Sequence, residues 1–320
     1  MLFISLKNFF DYTKRFFQYS MFRIKKGEYP FPTLFQLQTI NSCNASCLMC
    51  PHSKENTKNL EIMTDGLFEK IIDEIISESK SPIIFLFLQN ESFMDKDILL
   101  KVKKVKDKEK KKTFVGIVTN GSLLTAEKIK QLKTSKLDSL TISLDAITKE
   151  TYNKIRKGLI FQDVLDNIQK VIESDYNKHL AVGFVKQKGN IREIKQFKKY
   201  WKKKKLSFNI QNLSNRTGYL KNYEEIDANL FFSKLKYKIF KKLIKYCPLP
   251  FESFNILSNG DVILCCNDFK KIEILGNVKN SSIKEIWNSD RYHNIRKYMF
   301  NRNFEKIPLC RMCSVFKDKK

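Results

Sequence analysis

Three cysteines, Cys43, Cys47 and Cys50, follow a short apolar stretch near the amino end of the chain and form a CxxxCxxC loop. A loop of this length brings three thiolates to one point. Three soft sulfur ligands suit an iron–sulfur cluster and leave one of its irons without a protein ligand. The spacing therefore predicts a cluster with an open iron, at which chemistry can start.

A zinc knuckle is the main alternative for this loop. Zinc sites usually close with four ligands, commonly two CxxC pairs or a Cys/His set, and His52 is the nearby candidate for the fourth. A disulfide is disfavoured because an intracellular redox poise keeps thiols reduced. The sequence favours an iron–sulfur cluster over zinc.

The eight cysteines of this 320-residue chain fall into two groups, three before residue 51 and five after residue 246. They are too few for a disulfide scaffold, and their clustering indicates metal binding. The sequence shows neither a secretory leader nor an apolar run of the roughly 20 residues that a spanning helix needs. We therefore expect a cytoplasmic protein.

The formal net charge of +26 invites a nucleic-acid partner. However, only nine of the 60 basic residues are arginine, the residue that base readout and phosphate forks favour. The excess of lysine beside many Asn, Ile and Phe indicates a compositional bias instead. Nucleic acid is thus disfavoured as a substrate, and a small-molecule substrate, with some preference for an anionic one, is favoured.

The order of apolar and amphipathic segments predicts four regions. Residues 1–28 form a basic amphipathic helix, which either lies on a membrane surface or packs against the catalytic domain. Residues 29–218 alternate strands and helices, as in repeated β–α units around a parallel sheet. Residues 219–246 form a charged helical connector. Residues 247–320 form a separate small domain rich in cysteine.

Six strands are predicted in the second region, each followed by an amphipathic segment. They are Thr33–Ile40, Ile83–Leu88, Thr113–Val118, Ser139–Ser143, Leu180–Val185 and Phe208–Asn212. The predicted helices include Leu67–Glu78 with Thr64 as its N-cap, Thr125–Thr134, Phe161–Glu173 and Asn190–Lys203.

The CxxxCxxC loop resembles the signature of radical S-adenosylmethionine (SAM) enzymes. The resemblance implies a partial (β/α)6 TIM-type barrel in which the three cysteines hold a [4Fe–4S] cluster and the fourth iron binds SAM. It also implies an external electron donor of the flavodoxin or ferredoxin type. In this family an electron cleaves SAM to methionine and a 5′-deoxyadenosyl radical, which removes a hydrogen atom from the substrate.

The same resemblance implies SAM contacts at the strand ends. Residues 88–92 stand where the family usually shows Gly-Gly-Glu-Pro, and of these only the glutamate, Glu91, survives, with Gln89 and Asn90 before it. Asn120 lies in the turn after the third strand, where a plain Asn-Gly turn is the alternative.

The fourth strand and the segment after it resemble the family's ribose-binding strand end with a downstream arginine. Ser143 can bond a ribose hydroxyl or the SAM carboxylate, and Arg156 can offer a carboxylate fork. Asp145 either joins this group or caps the following helix. Residues 215–218, past the sixth strand, either reach the substrate or SAM or form a loop turn.

The second set of cysteines has the pattern CX12GX4C, from Cys247 through Gly260 to Cys265, followed by a distant CxxC, Cys310 and Cys313. It resembles the SPASM/twitch extension of radical SAM enzymes and implies one auxiliary [4Fe–4S] cluster. Four thiolates would saturate this cluster, so its role would be electron transfer. A structural zinc is the alternative.

Cys266 is left over from both sets. It is a buried small residue, a substitute ligand for Cys265, or a hydrogen-atom donor in catalysis.

These features lead to one hypothesis and several alternatives. The hypothesis is a radical SAM dehydrogenase that oxidises a sugar or aminocyclitol-like substrate, with the auxiliary cluster accepting an electron. The enzymatic alternatives are an epimerase that uses Cys266 and a peptide-modifying enzyme. The non-enzymatic alternative is a zinc-binding protein that contacts nucleic acid or a membrane.

Overall fold

The computed structural model describes residues 29–54, 59–108, 112–174, 176, 178–228 and 247–313. The predicted amino-terminal helix and most of the predicted connector lie outside these residues. None of the helices in the described ranges combines the length and the apolar character that crossing a membrane requires.

The strands follow each other along the chain as nine short segments. They are β1 (Leu34–Leu37), β2 (Ile83–Phe85), β3 (Phe114–Thr119), β4 (Ser139–Ser143), β5 (His179–Lys186), β6 (Ser207–Asn212), β7 (Ser253–Ile256), β8 (Asp261–Ile263) and β9 (Ile274–Asn277). The prediction of six strands before residue 218 is confirmed, with different ends for all but β4.

Helices separate these strands. They are α1 (Asp65–Glu78), α2 (Ile98–Lys108), α3 (Ala126–Ser135), α4 (Lys149–Ile155), α5 (Phe161–Glu173), α6 (Ile194–Lys203), α7 (Tyr223–Ile226), α8 (Leu249–Glu252), α9 (Ile283–Trp287), α10 (Asp290–Phe300) and α11 (Pro308–Arg311). Thr64 caps α1 as predicted, since its side chain accepts a hydrogen bond from the Leu67 N–H.

One sheet contains all nine strands, in the order β6-β5-β4-β3-β2-β1-β7-β8-β9. Strands β1 to β6 pair in parallel with their neighbours, and β7 extends this parallel array on the free side of β1. Strands β8 and β9 then add in antiparallel order. The cysteine-rich region, which the sequence marks as a separate small domain, therefore shares the sheet of the barrel region.

The two faces of the parallel sheet differ in character. Successive strand residues alternate between the faces, and residues paired across parallel strands share a face. One face packs on the helices: the Phe184 ring lies 4.8 Å from that of Phe197 on α6. It carries fully buried apolar side chains such as Phe35, Ile84 and Val182.

We call the opposite face the inner face. Its side chains are half-exposed, and they include Gln36, Phe85, Val118, Thr141, Ser143, Val185, Asn209 and Gln211. The inner face is thus accessible to a ligand, as the inside of an open barrel is.

Helix α1 holds the cysteine-rich region against the barrel. The Lys70 ammonium donates to the Val278 carbonyl, and the Glu74 carboxylate accepts from the Ile283 N–H at 2.6 Å. At the other end of α9, the Trp287 indole N–H donates to the Pro30 carbonyl at 2.9 Å. These long-range contacts fix the position of α9 beside the first strand.

A buried arginine on α10 completes this packing. Arg296 has no exposed surface, and its guanidinium lies 4.0 to 4.3 Å from the ring centroids of Tyr29, Trp287 and Tyr292. It donates to the Pro250 carbonyl at 2.8 Å and to the Trp287 carbonyl at 2.7 Å. The aromatic faces and the carbonyls replace the water that the cation loses on burial.

We expect Arg296→Ala to lower the free energy of unfolding by about 3 kcal/mol, because it leaves a cavity and two carbonyls without donors. Lys297→Ala is the matched control on the same helix, since its side chain is exposed and such surface substitutions change the free energy of unfolding by only about 0.5 kcal/mol or less. Denaturant unfolding monitored by circular dichroism measures both. Equal losses in the two variants would contradict this role for Arg296.

Candidate functional site

The cysteine loop lies beyond the carboxyl end of β1. Cys47 is buried, Cys43 and Cys50 are half-buried, and all three are free thiols. The Cys50 N–H donates to the Cys47 carbonyl at 3.0 Å, so the last turn of the loop is closed by its own backbone. The three sulfur-bearing residues therefore share one short, folded segment.

The chain immediately after α4 holds this loop in place. The Ser46 N–H donates to the Lys157 carbonyl at 2.8 Å, and the Leu48 N–H donates to the last carbonyl of α4 at 2.9 Å. Gly158 has a φ of +86°, and a Cβ at this position would lie 3.5 Å from the Asn44 carbonyl oxygen. A side chain would fit here at ordinary contact distance, so glycine is needed for the left-handed backbone and not for space.

The chemistry of the three thiols fits a cationic group. Burial raises the pKa of the Cys43 thiol to about 12, and the nearby Glu91, Cys47 and Cys50 add to this effect. Burial also raises the pKa of Cys47, although the Arg156 charge opposes the rise. Thiols give up their protons when a soft metal group replaces them.

The described residues contain no group of three His, Cys, Asp or Glu side chains already arranged around a metal ion. His52, the fourth ligand in the zinc alternative, places its Nε2 atom 3.1 Å from the Asn41 carbonyl oxygen. Three cysteines without a fourth protein ligand are the donor set that a [4Fe–4S] cluster with one open iron requires.

Glu91 joins the end of β2 to the end of β3. Its carboxylate accepts from the Thr119 hydroxyl at 2.6 Å, the Asn120 N–H at 2.7 Å and the Phe93 N–H at 3.1 Å. Burial raises the pKa of Glu91, and these hydrogen bonds oppose the rise. Its own N–H donates to the Ser42 carbonyl at 2.9 Å, beside the first cysteine. Glu91 therefore holds the ends of β2 and β3 together next to the first cysteine.

The two residues before Glu91 differ in their contacts. The Gln89 amide donates to the Cys266 carbonyl at 3.1 Å and so links the end of β2 to the cysteine-rich region. Asn90 accepts from the Leu88 N–H through Oδ1, while its buried Nδ2 atom has no hydrogen-bond partner among the described residues. An unpaired buried donor beside the cysteine loop fits a residue that meets a ligand.

Asn120 fastens the cysteine loop to the end of β3. Its Nδ2 atom donates to Asn44 Oδ1 at 2.8 Å, and its Oδ1 atom accepts from the Ser122 N–H at 2.9 Å. Gly121 supplies the positive φ, +81°, that the turn needs. The predicted Asn-Gly turn is present, and it also contacts the loop between the first two cysteines.

Asp145 and Arg156 form a buried ion pair. Arg156 directs Nε and Nη2 to Asp145 Oδ2 at 2.7 and 2.5 Å. The guanidinium fork that the resemblance assigns to the SAM carboxylate therefore binds Asp145 instead. The remaining Nη1 donates to the Cys47 sulfur at 3.8 Å. The alternative in which Asp145 caps the next helix is wrong, because Thr148 caps α4.

Asp145 also ties β4 to β5. It has a φ of +62°, and its Oδ1 atom accepts from the Val185 N–H at 2.6 Å. Asn190 donates to the Asp145 carbonyl at 2.8 Å. Ser143, two residues earlier, is half-exposed on the inner face, where it remains a candidate for a SAM contact.

The second set of cysteines also lies close together. Burial raises the pKa of Cys247 to about 12, and Cys313 and Cys266 contribute to the rise. Burial raises the pKa of Cys310 as well, and Cys247 and Cys313 add to the rise. Four thiols in neighbouring parts of this region form an all-sulfur donor set. Their chemistry fits the expected auxiliary [4Fe–4S] cluster.

Arg216 reaches this second set from the end of β6. Its Nη1 atom donates to Asn267 Oδ1 at 2.8 Å. A hydrogen bond with Cys265 and the Arg216 charge lower the pKa of Cys266. Arg216 and Thr217 both have positive φ, 50° and 55°, and the Thr217 hydroxyl donates to the Asn267 carbonyl at 3.2 Å. These strained residues hold the end of β6 against the cysteine-rich region.

Several residues of the site carry no signal that sequence reasoning could use. Asn44 is one residue among several inside the cysteine loop, and Thr119 is one of many strand threonines. The pairing of Arg216 with Asn267 joins residues 51 positions apart. Such contacts are set by tertiary structure and not by local pattern.

Comparison with known proteins decides the family. The model of the radical SAM superfamily matches residues 37–197, about half of the chain. The chain belongs to the radical SAM superfamily. A second model, SPASM, an iron–sulfur cluster-binding domain, matches residues 247–314. This radical SAM enzyme therefore uses SAM and [4Fe–4S] clusters, as the two cysteine sets predict.

Two characterised relatives cover most of the enzyme. It is 20% identical over 283 residues to the S-adenosyl-L-methionine-dependent 2-deoxy-scyllo-inosamine dehydrogenase of Niallia circulans, covering 88% of this chain and 92% of the relative. It is 23% identical over 323 residues to a cysteine-type anaerobic sulfatase-maturating enzyme of Clostridium perfringens, covering 87% and 84%. Both relatives are similar to this chain at low identity.

A solved structure supports the fold. The crystal structure of BtrN in complex with AdoMet and 2-DOIA matches with a TM-score of 0.62 at 19% identity, covering 91% of this chain and 97% of that one. The predicted fold, a partial barrel of the radical SAM type with a cysteine-rich carboxyl-terminal region, is confirmed.

The Asp145–Arg156 pair generates a prediction. We expect Arg156→Met to lower the free energy of unfolding by about 3 kcal/mol, because it leaves a buried carboxylate without its partner. The double variant Asp145→Asn/Arg156→Met is expected to recover part of this loss. Lys154→Met, which breaks an exposed pair with Glu150, is the control and should have little effect. Denaturant unfolding measures these variants together with the single variant Asp145→Asn and the unchanged protein, and strictly additive losses would contradict the pairing.

The two cysteine sets predict the iron content. Anaerobically reconstituted enzyme should hold about eight irons per chain, four in each cluster, with broad absorbance near ~400 nm. The triple variant Cys43→Ala/Cys47→Ala/Cys50→Ala should hold about four, and so should Cys310→Ala/Cys313→Ala. Cys266→Ala is the control and should keep the full amount. A colourless protein with stoichiometric zinc would contradict the assignment.

Proposed function

We propose that this enzyme oxidises a small hydroxylated molecule of the sugar or cyclitol class to a ketone. The observation that carries the proposal is the second set of four cysteines, Cys247, Cys265, Cys310 and Cys313. Four thiolates leave no iron open for a substrate, so a cluster held there suits electron transfer. The likeness to a relative named as a dehydrogenase of 2-deoxy-scyllo-inosamine supports the same class of reaction.

The reaction balances as the removal of two electrons and two protons from a secondary alcohol. When bound, the first cluster and SAM supply the 5′-deoxyadenosyl radical that takes a hydrogen atom from the carbinol carbon. The substrate then loses its hydroxyl proton and one electron, and the carbonyl bond forms. The four carboxyl-terminal cysteines would hold the acceptor for that electron.

The residues around the first cysteine loop would keep its geometry constant during this reaction. Arg156 places a positive charge beside the Cys47 sulfur and is itself held by Asp145. Glu91 and Asn120 join two strand ends to the loop. Asn90, with its unpaired donor, and Ser143, on the inner face, are the residues we assign to SAM.

Arg216 would balance the charge of the second site. Its guanidinium lies near Cys266 and is fixed by Asn267. A positive charge near a thiolate-ligated cluster makes that cluster easier to reduce. An acceptor of electrons from the substrate needs this property. An external flavodoxin or ferredoxin would supply the electron that starts each turnover.

The contact between Gln89 and Cys266 favours an epimerase as the second candidate. It places Cys266 beside the end of β2, where a thiol could return a hydrogen atom to the substrate radical. A third candidate, modification of a peptide, is supported by the likeness to a sulfatase-maturating enzyme. All three candidates begin with hydrogen abstraction from the substrate, and they differ in the fate of the substrate radical.

Product analysis separates dehydrogenation from the other reactions. Reconstituted enzyme with SAM, dithionite and the substrate should form 5′-deoxyadenosine and ketone in equal amounts. We expect Cys310→Ala/Cys313→Ala to keep SAM cleavage and to lose ketone formation, because the electron acceptor is gone. Unchanged ketone formation in this variant would contradict the proposed role of the second site.

Solvent deuterium tests the epimerase. In D2O the dehydrogenase should place no deuterium in recovered substrate, and Cys266→Ala should keep full turnover. Deuterium at the reacting carbon, lost together with turnover in Cys266→Ala, would show that Cys266 returns the hydrogen atom and would replace our proposal with the epimerase.

A further inference from the structure

We infer that the substrate is an uncharged molecule with several hydroxyl or amide groups, and that polar side chains on the inner face of the sheet select it. This inference rests on the proposed function, since it concerns the substrate of the same site. It goes further by fixing the charge class of the substrate and naming the residues that would recognise it.

The register of the parallel strands brings polar side chains to one wall. Thr141 pairs with Val118 on β3, and Ser143 pairs with Gly183 on β5. On the next strand, Asn209 pairs with Gly183 and Gln211 pairs with Val185. Because paired residues of parallel strands share a face, Thr141, Ser143, Asn209 and Gln211 lie together on the inner face. Gln36 on β1 lies on the same face, across the barrel.

These five side chains have hydrogen-bonding capacity that the fold leaves unused. All five are half-exposed, and none of their side chains hydrogen-bonds another residue within the part of the chain that the structure describes. Together they offer amide and hydroxyl groups, which both donate and accept. A ligand with several hydroxyl or amide groups would match this set.

The inner-face positions of β1 to β6 carry no Lys, Arg, Asp or Glu. This is notable in a chain with 29% charged residues. Four charged side chains near the strand ends already have partners in the protein. Asp145 pairs with Arg156, the Glu91 carboxylate accepts three hydrogen bonds, and Arg216 donates to Asn267.

Two aromatic rings at one end of the inner face limit the size of the ligand. Phe85 and Phe114 lie at the lower end of the inner face, with ring centroids 6.2 Å apart. A Cβ at Gly116 would lie 2.6 Å from the Phe85 ring, so the ring fills the space over the glycine. Gly116 pairs with Ser139, four residues before Ser143. At the usual rise of a strand, the depth above these rings is about 13 Å. That depth suits one or two rings.

A charged substrate would be poorly matched to this wall. A phosphate, carboxylate or ammonium group would lose water without gaining an opposite charge, which is costly in a partly buried site. A neutral polyol or carboxamide replaces its water with the four polar side chains that SAM does not use: Gln36, Thr141, Asn209 and Gln211. The inner face therefore indicates a neutral substrate, in place of the anionic preference that the net charge of the chain suggests.

A matched set of probes tests this inference by binding. Reconstituted enzyme with SAM is titrated with scyllo-inositol, glucose and N-acetylglucosamine as neutral probes. Glucosamine is the cationic probe, and glucuronate and glucose 6-phosphate are the anionic probes. We expect the best neutral probe to bind at least tenfold more tightly than the best charged probe, as measured by saturation-transfer NMR competition. Equal or tighter binding of a charged probe, or no binding of any neutral probe, would overturn the inference.

Variants of the wall connect the binding to the named residues. Gln211→Leu and Asn209→Leu should each weaken the best neutral probe about tenfold, since each leaves a bound hydroxyl without its partner. Gln131→Leu makes the same change on the exposed surface of α3 and should leave binding unchanged. Gln211→Glu should improve the binding of glucosamine relative to glucose. Affinities that do not respond to these inner-face changes would overturn the assignment of the wall.

The two levels of the proposal fail in different ways. SAM binding and the slow cleavage of SAM without substrate report on the radical SAM site alone. An enzyme that cleaves SAM but prefers charged probes would overturn the neutral substrate and leave the proposed oxidation standing. An enzyme that binds neutral probes but forms no ketone would overturn the oxidation and leave the substrate class standing.

Discussion

Strand β1 pairs in parallel with two partners at once, β2 on one side and β7 on the other, and the arrangement of the whole site depends on this pairing. The residue pairs Leu34–Ile83 and Leu34–Ser253 begin the two ladders at the same position. The first cysteine loop therefore leaves the sheet beside the chain that leads to the second cysteine set. A shift of β1 by one residue would reverse its faces and would move the loop away from both.

Charge at the first site is controlled by pairing in the interior. A buried Arg156 is tolerable because Asp145 neutralises it, and the remaining donor of the guanidinium is directed at the Cys47 sulfur. Burial raises the pKa of Cys43 and Cys47, so these two thiols resist ionisation. Binding of the cluster is thereby coupled to the loss of thiol protons, and a basic residue beside one thiolate lowers the cost of that step.

The sequence predicts the repeating parts of this fold better than its junctions. Its amphipathic period predicts helix α5 at Phe161–Glu173, and the helix is found there, since such a period is local. The apolar run predicts that β2 reaches Leu88, but the strand ends at Phe85, because the chain leaves the ladder and the Leu88 N–H bonds to the Asn90 side chain instead. The joining of β7 to β1 depends on residues more than 200 positions apart, which no local pattern reports.

In the candidate site, too, the sequence predicts locally marked residues better than tertiary contacts. The cysteines could be selected from their spacing, and Glu91, Asn120, Asp145 and Arg156 from the resemblance of their segments to the radical SAM family. The partners of these side chains could not be selected, because the contact between the Arg156 guanidinium and the Asp145 carboxylate depends on how α4 is placed in the folded protein. The roles of side chains that meet each other through tertiary structure become visible only in three dimensions.

The packing of Cys266 bears on the choice between losing an electron and regaining a hydrogen atom. Transfer of a hydrogen atom from a thiol requires contact with the substrate carbon, whereas an electron can cross several ångströms of protein. Cys266 packs against a small apolar cluster formed by Leu88, Leu257 and Ile263, and its carbonyl is held by Gln89. A half-buried thiol that packs on hydrocarbon, hydrogen-bonds to Cys265 and is tied through its backbone has little freedom to approach a substrate on the inner face. This packing supports electron loss, and therefore oxidation, as the step after hydrogen abstraction.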